Sequence, residues 1–202
     1  MSSTWVVPPK PESRGPAGLS SVYFFNGLED GSGVSQAASL ILQPVLQFGK
    51  SGCLNDPLLW GEWHFTAYMV LGNGRAYCGK RLAVKPGETL EGGMVAGSSG
   101  EWTVTARRVA SGQTSSYTAN LDMPTGRKID AAYATLEGMI IYNCKTYPSN
   151  NGTTFTNNVI KDGNGNLVNF KRTAWTPVVK HSECGQAVIR TMDGSGDVEL
   201  VY

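Results

Sequence analysis

The sequence of 202 residues predicts an all-β domain, built as an antiparallel sandwich or barrel. Short stretches rich in Val, Ile, Thr, Tyr, Phe and Trp follow one another and are separated by turn signals. No segment keeps the apolar period of a helix over several turns. The chain also has 25 glycines and 10 prolines, scattered without a repeat, which is typical of a loop-rich β protein.

The candidate strands begin after residue 20, and Gly, Asn, Asp and Pro mark the turns between them. They are residues 21–26, 38–48, 60–71, 76–79, 101–110, 115–121, 132–144, 152–160, 166–173, 176–181, 186–192 and 197–202. Residues 1–20 contain four of the ten prolines and few large apolar residues. We therefore expect an extended N-terminal arm over residues 1–20 and a single β domain over residues 21–202.

The charge balance argues against several classes of partner. The chain has 17 Lys and Arg against 16 Asp and Glu, so its formal net charge is +1. Such a balance gives no electrostatic reason to expect a nucleic acid or an anionic membrane as partner. The longest apolar runs are far too short to span a bilayer. We expect a monomer with no nucleic-acid or membrane partner.

The cysteines and the N-terminus leave the compartment open. Cys53, Cys78, Cys144 and Cys184 allow two disulfides in any of three connectivities, or four ordinary thiols. They form no CxxC pair and no His-Cys cluster, so the sequence implies no metal and no organic cofactor. The first residues lack the basic start and apolar stretch of a signal peptide. The chain is either a mature secreted domain or a cytosolic protein, and we favour secretion.

Alternation along three strands separates a core face from a polar-aromatic face, because successive strand residues point to opposite sides. Even positions of 39–48 are apolar, whereas both glutamines, Gln43 and Gln47, look away from the core. The corresponding faces of 60–69 and 132–142 also carry polar and aromatic side chains. They are Trp60, Glu62, His64, Thr66, Tyr68, Tyr133, Thr135 and Glu137. A sheet face lined in this way is typical of a binding cleft.

Several of these residues stand in motifs that resemble one known family. Residues 41–45 read ILQPV and resemble an ILQTGV strand, and WGEW at 60–63 resembles a W-x-E-W strand. AYATLE at 132–137 is similar to A-E-W-I-V-E, and TFT at 154–156 matches the end of V-T-F-T. The motifs keep their order across residues 21–160. They are those of the glutamic peptidases called eqolisins, and the resemblance implies a concanavalin-like, jelly-roll type double-sheet sandwich.

The resemblance also implies a reaction and a site. The catalytic pair of the family is a Gln and a Glu, which fall on Gln43 and Glu137. The implied activity is endopeptidase cleavage of a polypeptide substrate at acidic pH, by a water that Glu137 activates while Gln43 stabilises the oxyanion. Other polar and aromatic side chains of the same face would bind substrate. They are Trp60, Glu62, His64, Tyr68 and Tyr133.

Three alternatives use the same polar face. The related neprosin-type peptidases have two catalytic glutamates, which would bring Glu62 into the pair. A β-sandwich glycoside hydrolase would use Glu62 and Glu137 as its two carboxylates on a glycan. A lectin-like module would bind carbohydrate or protein without catalysis, on a platform formed by Trp60, Tyr68 and Tyr133.

Overall fold

The computed structural model describes residues 1–31, 40–53, 61–120, 129–191 and 193–202, and within them the chain forms thirteen strands and no α-helix. The strands are Ser2–Val6 (β1), Ser21–Glu29 (β2), Leu40–Phe48 (β3), Trp63–Leu71 (β4), Ala76–Cys78 (β5), Leu82–Val84 (β6), Thr89–Ala96 (β7), Glu101–Arg108 (β8), Thr114–Asn120 (β9), Ala131–Met139 (β10), Gly152–Val159 (β11), Ala187–Arg190 (β12) and Val198–Val201 (β13). In this part of the chain no helix is long and apolar enough to cross a membrane.

The strands form two antiparallel sheets that pack face to face. The seven-stranded sheet has the order β12-β13-β11-β1-β7-β8-β9. The six-stranded sheet has the order β10-β2-β3-β4-β5, and β6 also pairs with β4. All pairings between these strands are antiparallel. The predicted fold class, an antiparallel double-sheet sandwich, is confirmed.

The core between the sheets follows the alternation in the sequence. Leu42 and Leu46 of β3 and Trp63 and Phe65 of β4 are almost fully buried among side chains of the seven-stranded sheet. Trp5 of β1 packs against Phe65, with ring centroids 5.3 Å apart. Because the strand period is two, the intervening residues of β3 and β4 lie on the second face of the six-stranded sheet. That face carries the candidate site.

The N-terminal arm needs a correction. Residues 2–6 are extended, as predicted, but they form β1 and lie inside the seven-stranded sheet between β7 and β11. Trp5 and Val7 are both about 1 % exposed. Burial of two large apolar side chains therefore overrides the influence of the prolines that follow.

Strand β7 was not predicted, because two glycines interrupt its apolar signal. Gly92 allows the two sheets to approach each other there, since a Cβ atom would lie 2.4 Å from Pro44 Cγ and 2.5 Å from Asn26 Oδ1.

The predicted strands at 166–173 and 176–181 are wrong. These residues form no regular strand, and their aromatic residues Phe170 and Trp175 instead pack against each other with centroids 5.7 Å apart.

The four cysteines form two disulfides, Cys53–Cys78 and Cys144–Cys184. The first joins the end of the segment after β3 to the end of β5. The second joins the short turn after β10 to residue 184. Paired cysteines of this kind fit an extracellular protein, since cytosolic thiols are kept reduced.

Candidate active site

A row of side chains crosses the second face of the six-stranded sheet. Glu137 of β10 is the register partner of Tyr23 of β2, which pairs with Gln47 of β3, which in turn pairs with His64 of β4. Neighbouring strands lie about 4.8 Å apart, so the Cα atoms of Glu137 and Gln47 are separated by about 10 Å. Side chains as long as Glu and Gln can converge over the intervening tyrosine from this separation.

Glu137 lies on the edge strand of its sheet, where its side chain is exposed. Neighbouring protein atoms still remove part of its hydration, and this desolvation raises the pKa of the carboxyl above its ordinary value. The Lys180 ammonium acts in the opposite direction and lowers the pKa by a smaller amount. A carboxyl with a raised pKa can exchange a proton under mildly acidic conditions, which is the property required of a general acid and base.

Tyr23 forms the floor between the two ends of the row. Its hydroxyl donates a hydrogen bond of 2.7 Å to the backbone carbonyl oxygen of Lys50. Burial, and to a smaller degree the charge of Glu137, raise the pKa of the Tyr23 phenol above its ordinary value. Tyr23 therefore stays neutral beside the carboxyl over the whole acidic and neutral range.

Gln47 is only 1 % exposed. Its Oε1 accepts a hydrogen bond from the Tyr68 hydroxyl. Among the described residues, its Nε2 has no hydrogen-bond partner. A buried amide N–H without an acceptor costs free energy unless a ligand supplies one, so this donor is suited to an oxyanion.

The predicted partner of Glu137, Gln43, lies on the same face but in a different row. Gln43 pairs with Tyr68 of β4, and Tyr133 of β10 pairs with Gly27 of β2. The β2–β3 register on either side of Gly27 aligns Gly27 with Gln43, so these four residues form one row. Gln43 stands four residues before Gln47 on β3, which is about 13 Å along the strand. The structure therefore brings Gln47, and not Gln43, into register with Glu137. Gln43 is 8 % exposed, and its Oε1 accepts no hydrogen bond from the described residues.

Tyr133 is held against the sheet away from Glu137. Its ring crosses Gly27, where a Cβ atom would lie 2.9 Å from Tyr133 Cδ2. Its hydroxyl donates to Glu29 Oε2. Burial, followed by this hydrogen bond and the charge of Glu29, raises the pKa of the Tyr133 phenol far above its ordinary value.

His64 and Glu62 lie at the other side of the row. His64 is buried beside Gln47 and is its register partner. The side chain of Glu62 is 60 % exposed and bonds to Lys10 Nζ at 2.8 Å. That hydrogen bond lowers the pKa of the Glu62 carboxyl. Trp60 lies outside the described residues.

The segment Gly49–Cys53, which we call the strap, is hydrogen-bonded to Tyr23 through the Lys50 carbonyl oxygen and to Tyr68 through Ser51. It leaves β3 at Gly49, whose φ is 104° and where a Cβ atom would lie 2.5 Å from the Ser20 carbonyl oxygen. Lys50 N donates to Ser21 Oγ at 2.8 Å, and the Cys53–Cys78 disulfide holds the far end. The strap therefore contacts two tyrosines of the outer sheet face, and both of them neighbour the buried Gln47.

Gln47 could have been found in the sequence. Residues 45–49 read VLQFG, which keeps the glycine that follows the glutamine by two positions in ILQTG. The stretch ILQPV at 41–45 keeps the first three letters and lacks that glycine. Both glutamines have the same parity, so alternation alone does not choose between them.

Comparisons with solved structures identify the class of fold. Aspergilloglutamic peptidase from Aspergillus niger superimposes with a TM-score of 0.61 at 16% identity, over 90% of this chain and 98% of that chain. Scytalido-glutamic peptidase, solved with a peptide-based transition state analog, gives a TM-score of 0.63 at 16% identity, over 100% of this chain and 90% of that chain.

A third neighbour is SCP-B, an eqolisin solved in a complex with the tripeptide Ala-Ile-His. It gives a TM-score of 0.58 at 15% identity, over 100% of this chain and 90% of that chain. No family model and no curated protein matches the sequence. The chain therefore has the concanavalin-like fold of the eqolisin glutamic peptidases.

Proposed function

We propose that this protein is an acid-acting glutamic endopeptidase in which Glu137 and Gln47 form the working pair. The observation that carries the proposal is their shared row, with a carboxyl of raised pKa at one end and an unused amide donor at the other. The fold supports the same function, because its structural neighbours are glutamic peptidases. The two disulfides support secretion.

The proposed reaction uses only these side chains and water. Ionised Glu137 takes a proton from a water molecule while the oxygen of that water forms a bond to the substrate carbonyl carbon. The Gln47 Nε2–H donates to the oxyanion that develops on the carbonyl oxygen. Protonated Glu137 then gives its proton to the leaving nitrogen as the C–N bond breaks, which restores the carboxylate.

Substrate access requires the residues that bury Gln47 to move, and we assign this movement to the strap because it is hydrogen-bonded to both tyrosines beside Gln47. Gln47 is 1 % exposed, whereas an oxyanion donor must lie about 3 Å from the substrate oxygen. Glu137 is already exposed at the edge of the sheet, so a peptide can approach from the β10 side. The strap then has to shift far enough from Tyr23 for the carbonyl group to reach Gln47.

The test is digestion of a denatured protein substrate between pH 2 and pH 7 by the wild type, Glu137→Gln and Glu199→Gln. Glu199 is a strand carboxylate of the seven-stranded sheet and serves as the matched control. We expect cleavage at acidic pH that is lost only in Glu137→Gln. Negligible cleavage by a correctly folded wild type would overturn the proposal in favour of a lectin-like binding module.

A further inference from the structure

A directed series of hydrogen bonds ends on the Gln47 amide. Tyr68 OH contacts both Gln47 Oε1 and Ser51 Oγ, the latter at 3.0 Å. An amide oxygen only accepts, so the single hydroxyl proton of Tyr68 points to Gln47. The Tyr68 oxygen must then accept from the Ser51 hydroxyl. Ser51 Oγ in turn accepts from Cys53 N at 3.0 Å.

With this series of hydrogen bonds, the Nε2 end of the Gln47 amide remains for a ligand. The oxygen and the NH₂ group of an amide have nearly the same shape, so packing alone does not select between the two orientations. In the structure the Tyr68 hydroxyl donates to Oε1, so that Oε1 points toward Tyr68 and Nε2 is left without a partner among the described residues. Donation to Oε1 also draws electron density from the amide nitrogen, which makes Nε2–H a stronger donor.

The contact between Tyr68 and Gln47 is not a consequence of strand pairing. The register partner of Tyr68 on β3 is Gln43, and the partner of Gln47 on β4 is His64. Tyr68 therefore reaches diagonally across four residues of β3. Both Tyr68 and Gln47 are buried, in a region where a hydrogen bond is stronger than in water.

We propose that Tyr68 is a positioning residue that orients the Gln47 amide so that its N–H groups face the reacting carbonyl. This inference rests on the proposed function. Tyr68 acts through Gln47 and touches neither substrate nor water in the reaction. Ser51 and the backbone N–H of Cys53 support it from the strap.

A structural role for Tyr68 can be separated from a positioning role. The Tyr68 ring packs in an apolar cluster with Tyr23, Phe25 and Val45. The substitution Tyr68→Phe keeps the ring in this cluster and removes only the hydroxyl. The matched control is Tyr117→Phe, which removes a hydroxyl from a ring that stacks on Tyr77 with centroids 6.1 Å apart.

The first measurement is steady-state cleavage of a fluorogenic peptide by Tyr68→Phe, Ser51→Ala and Tyr117→Phe. Loss of a whole oxyanion donor lowers kcat about a hundredfold or more. Tyr68→Phe keeps the donor and removes only the contact that orients it, so we expect kcat to fall about tenfold with KM unchanged. Ser51→Ala should lower kcat by a smaller factor, and Tyr117→Phe should not change it. Unchanged kcat in Tyr68→Phe, with loss of activity in Gln47→Ala, would overturn this inference and leave the proposed function in place.

The second measurement does not depend on activity. The side-chain ¹⁵N resonance of Gln47, assigned by comparison with Gln47→Ala, should shift in Tyr68→Phe and stay in place in Tyr117→Phe. An unshifted resonance in Tyr68→Phe would show that Tyr68 makes no hydrogen bond to Gln47 in solution, and this result would overturn the inference. Full activity of Gln47→Ala would instead overturn the proposed function, whatever the resonance shows.

Discussion

Glu137 and Gln47 stand two strands apart in one cross-strand row, with Tyr23 of the intervening strand between them. Their environments differ as their proposed roles require. Glu137 is exposed on an edge strand, where protons can exchange with solvent. Gln47 is buried, and its amide oxygen accepts a hydrogen bond from Tyr68. One end of the row is suited to proton transfer and the other to stabilising charge.

The two glutamines of β3 provide the sharpest test of this assignment. Gln47→Ala should lower kcat by about 10² to 10³, the usual effect of removing one oxyanion donor. Gln43→Ala is the matched variant, since it truncates the same residue type on the same strand and face. It should leave kcat within a few-fold of the wild type. The reverse pattern, measured by the same peptide assay, would restore Gln43 as the partner of Glu137.

The raised pKa of Glu137 predicts a pH-dependent effect on stability. A carboxyl whose folded pKa lies above its unfolded pKa favours folding at low pH and loses this contribution as pH rises through the folded value. Below the unfolded pKa, at about pH 3, wild type and Glu137→Gln both carry a neutral group at this position. At pH 7 the wild type carries a partly desolvated carboxylate. The stability of Glu137→Gln relative to wild type should therefore increase from pH 3 to pH 7.

Urea denaturation at the two pH values measures this change. Glu183→Gln is the control of opposite sign, because hydrogen bonding to backbone N–H and the nearby His181 lower the pKa of Glu183. Its contribution to stability is present above the unfolded pKa and is lost as pH falls. Glu183→Gln should thus lose relative stability between pH 3 and pH 7. The same sign of change in both variants would contradict the assignment.

Alternation in the sequence predicted which face each site residue occupies, and the core of β3 and β4 agrees with it. The period of two places Gln43, Gln47 and Glu137 on one face but says nothing about neighbours. Neighbours depend on register, and the register of β10 on β2 joins residues more than a hundred positions apart. Gln43 and Gln47 lie on the same face, so alternation did not choose between them. The glycine two positions after Gln47 matches the motif, and the register shows which glutamine shares a row with Glu137.

The sequence pattern also did not predict that the site residues Tyr23 and Gln47 are buried. Polar residues on the second face predict an open cleft, whereas Tyr23 and Gln47 are buried and Tyr23 is hydrogen-bonded to the strap. The strap is held by Cys53–Cys78, and four cysteines allow three pairings. Tyr23 donates to the Lys50 carbonyl oxygen and Tyr68 accepts from the Ser51 hydroxyl, and both contacts hold the strap against this face. None of these contacts leaves a periodic signal in the chain.

The two disulfides should have separable effects. Each closes a loop of a few tens of residues, so removing either pair by Cys→Ser substitution should cost about 3–4 kcal/mol of stability. Only removal of Cys53–Cys78 should speed hydrogen–deuterium exchange at the backbone amides of residues 50 and 53, because it is the one of the two disulfides that ends in the strap. Removal of Cys144–Cys184 is the matched control. Equal exchange at the strap in both variants would show that its hydrogen bonds hold it without the disulfide.

Glu62 distinguishes the proposed pair from mechanisms that use two glutamates. Its carboxylate is exposed and bonded to Lys10, and such a surface ion pair contributes at most about 1 kcal/mol to stability. Glu62→Gln should therefore leave both the thermal midpoint and peptide cleavage close to wild type, with Lys10→Met as the control for loss of the ion pair alone. A neprosin-type peptidase or a glycoside hydrolase that pairs Glu62 with Glu137 requires the opposite result. In that case Glu62→Gln would lose as much activity as Glu137→Gln while Lys10→Met kept it, and Gln47 would no longer be the partner of Glu137.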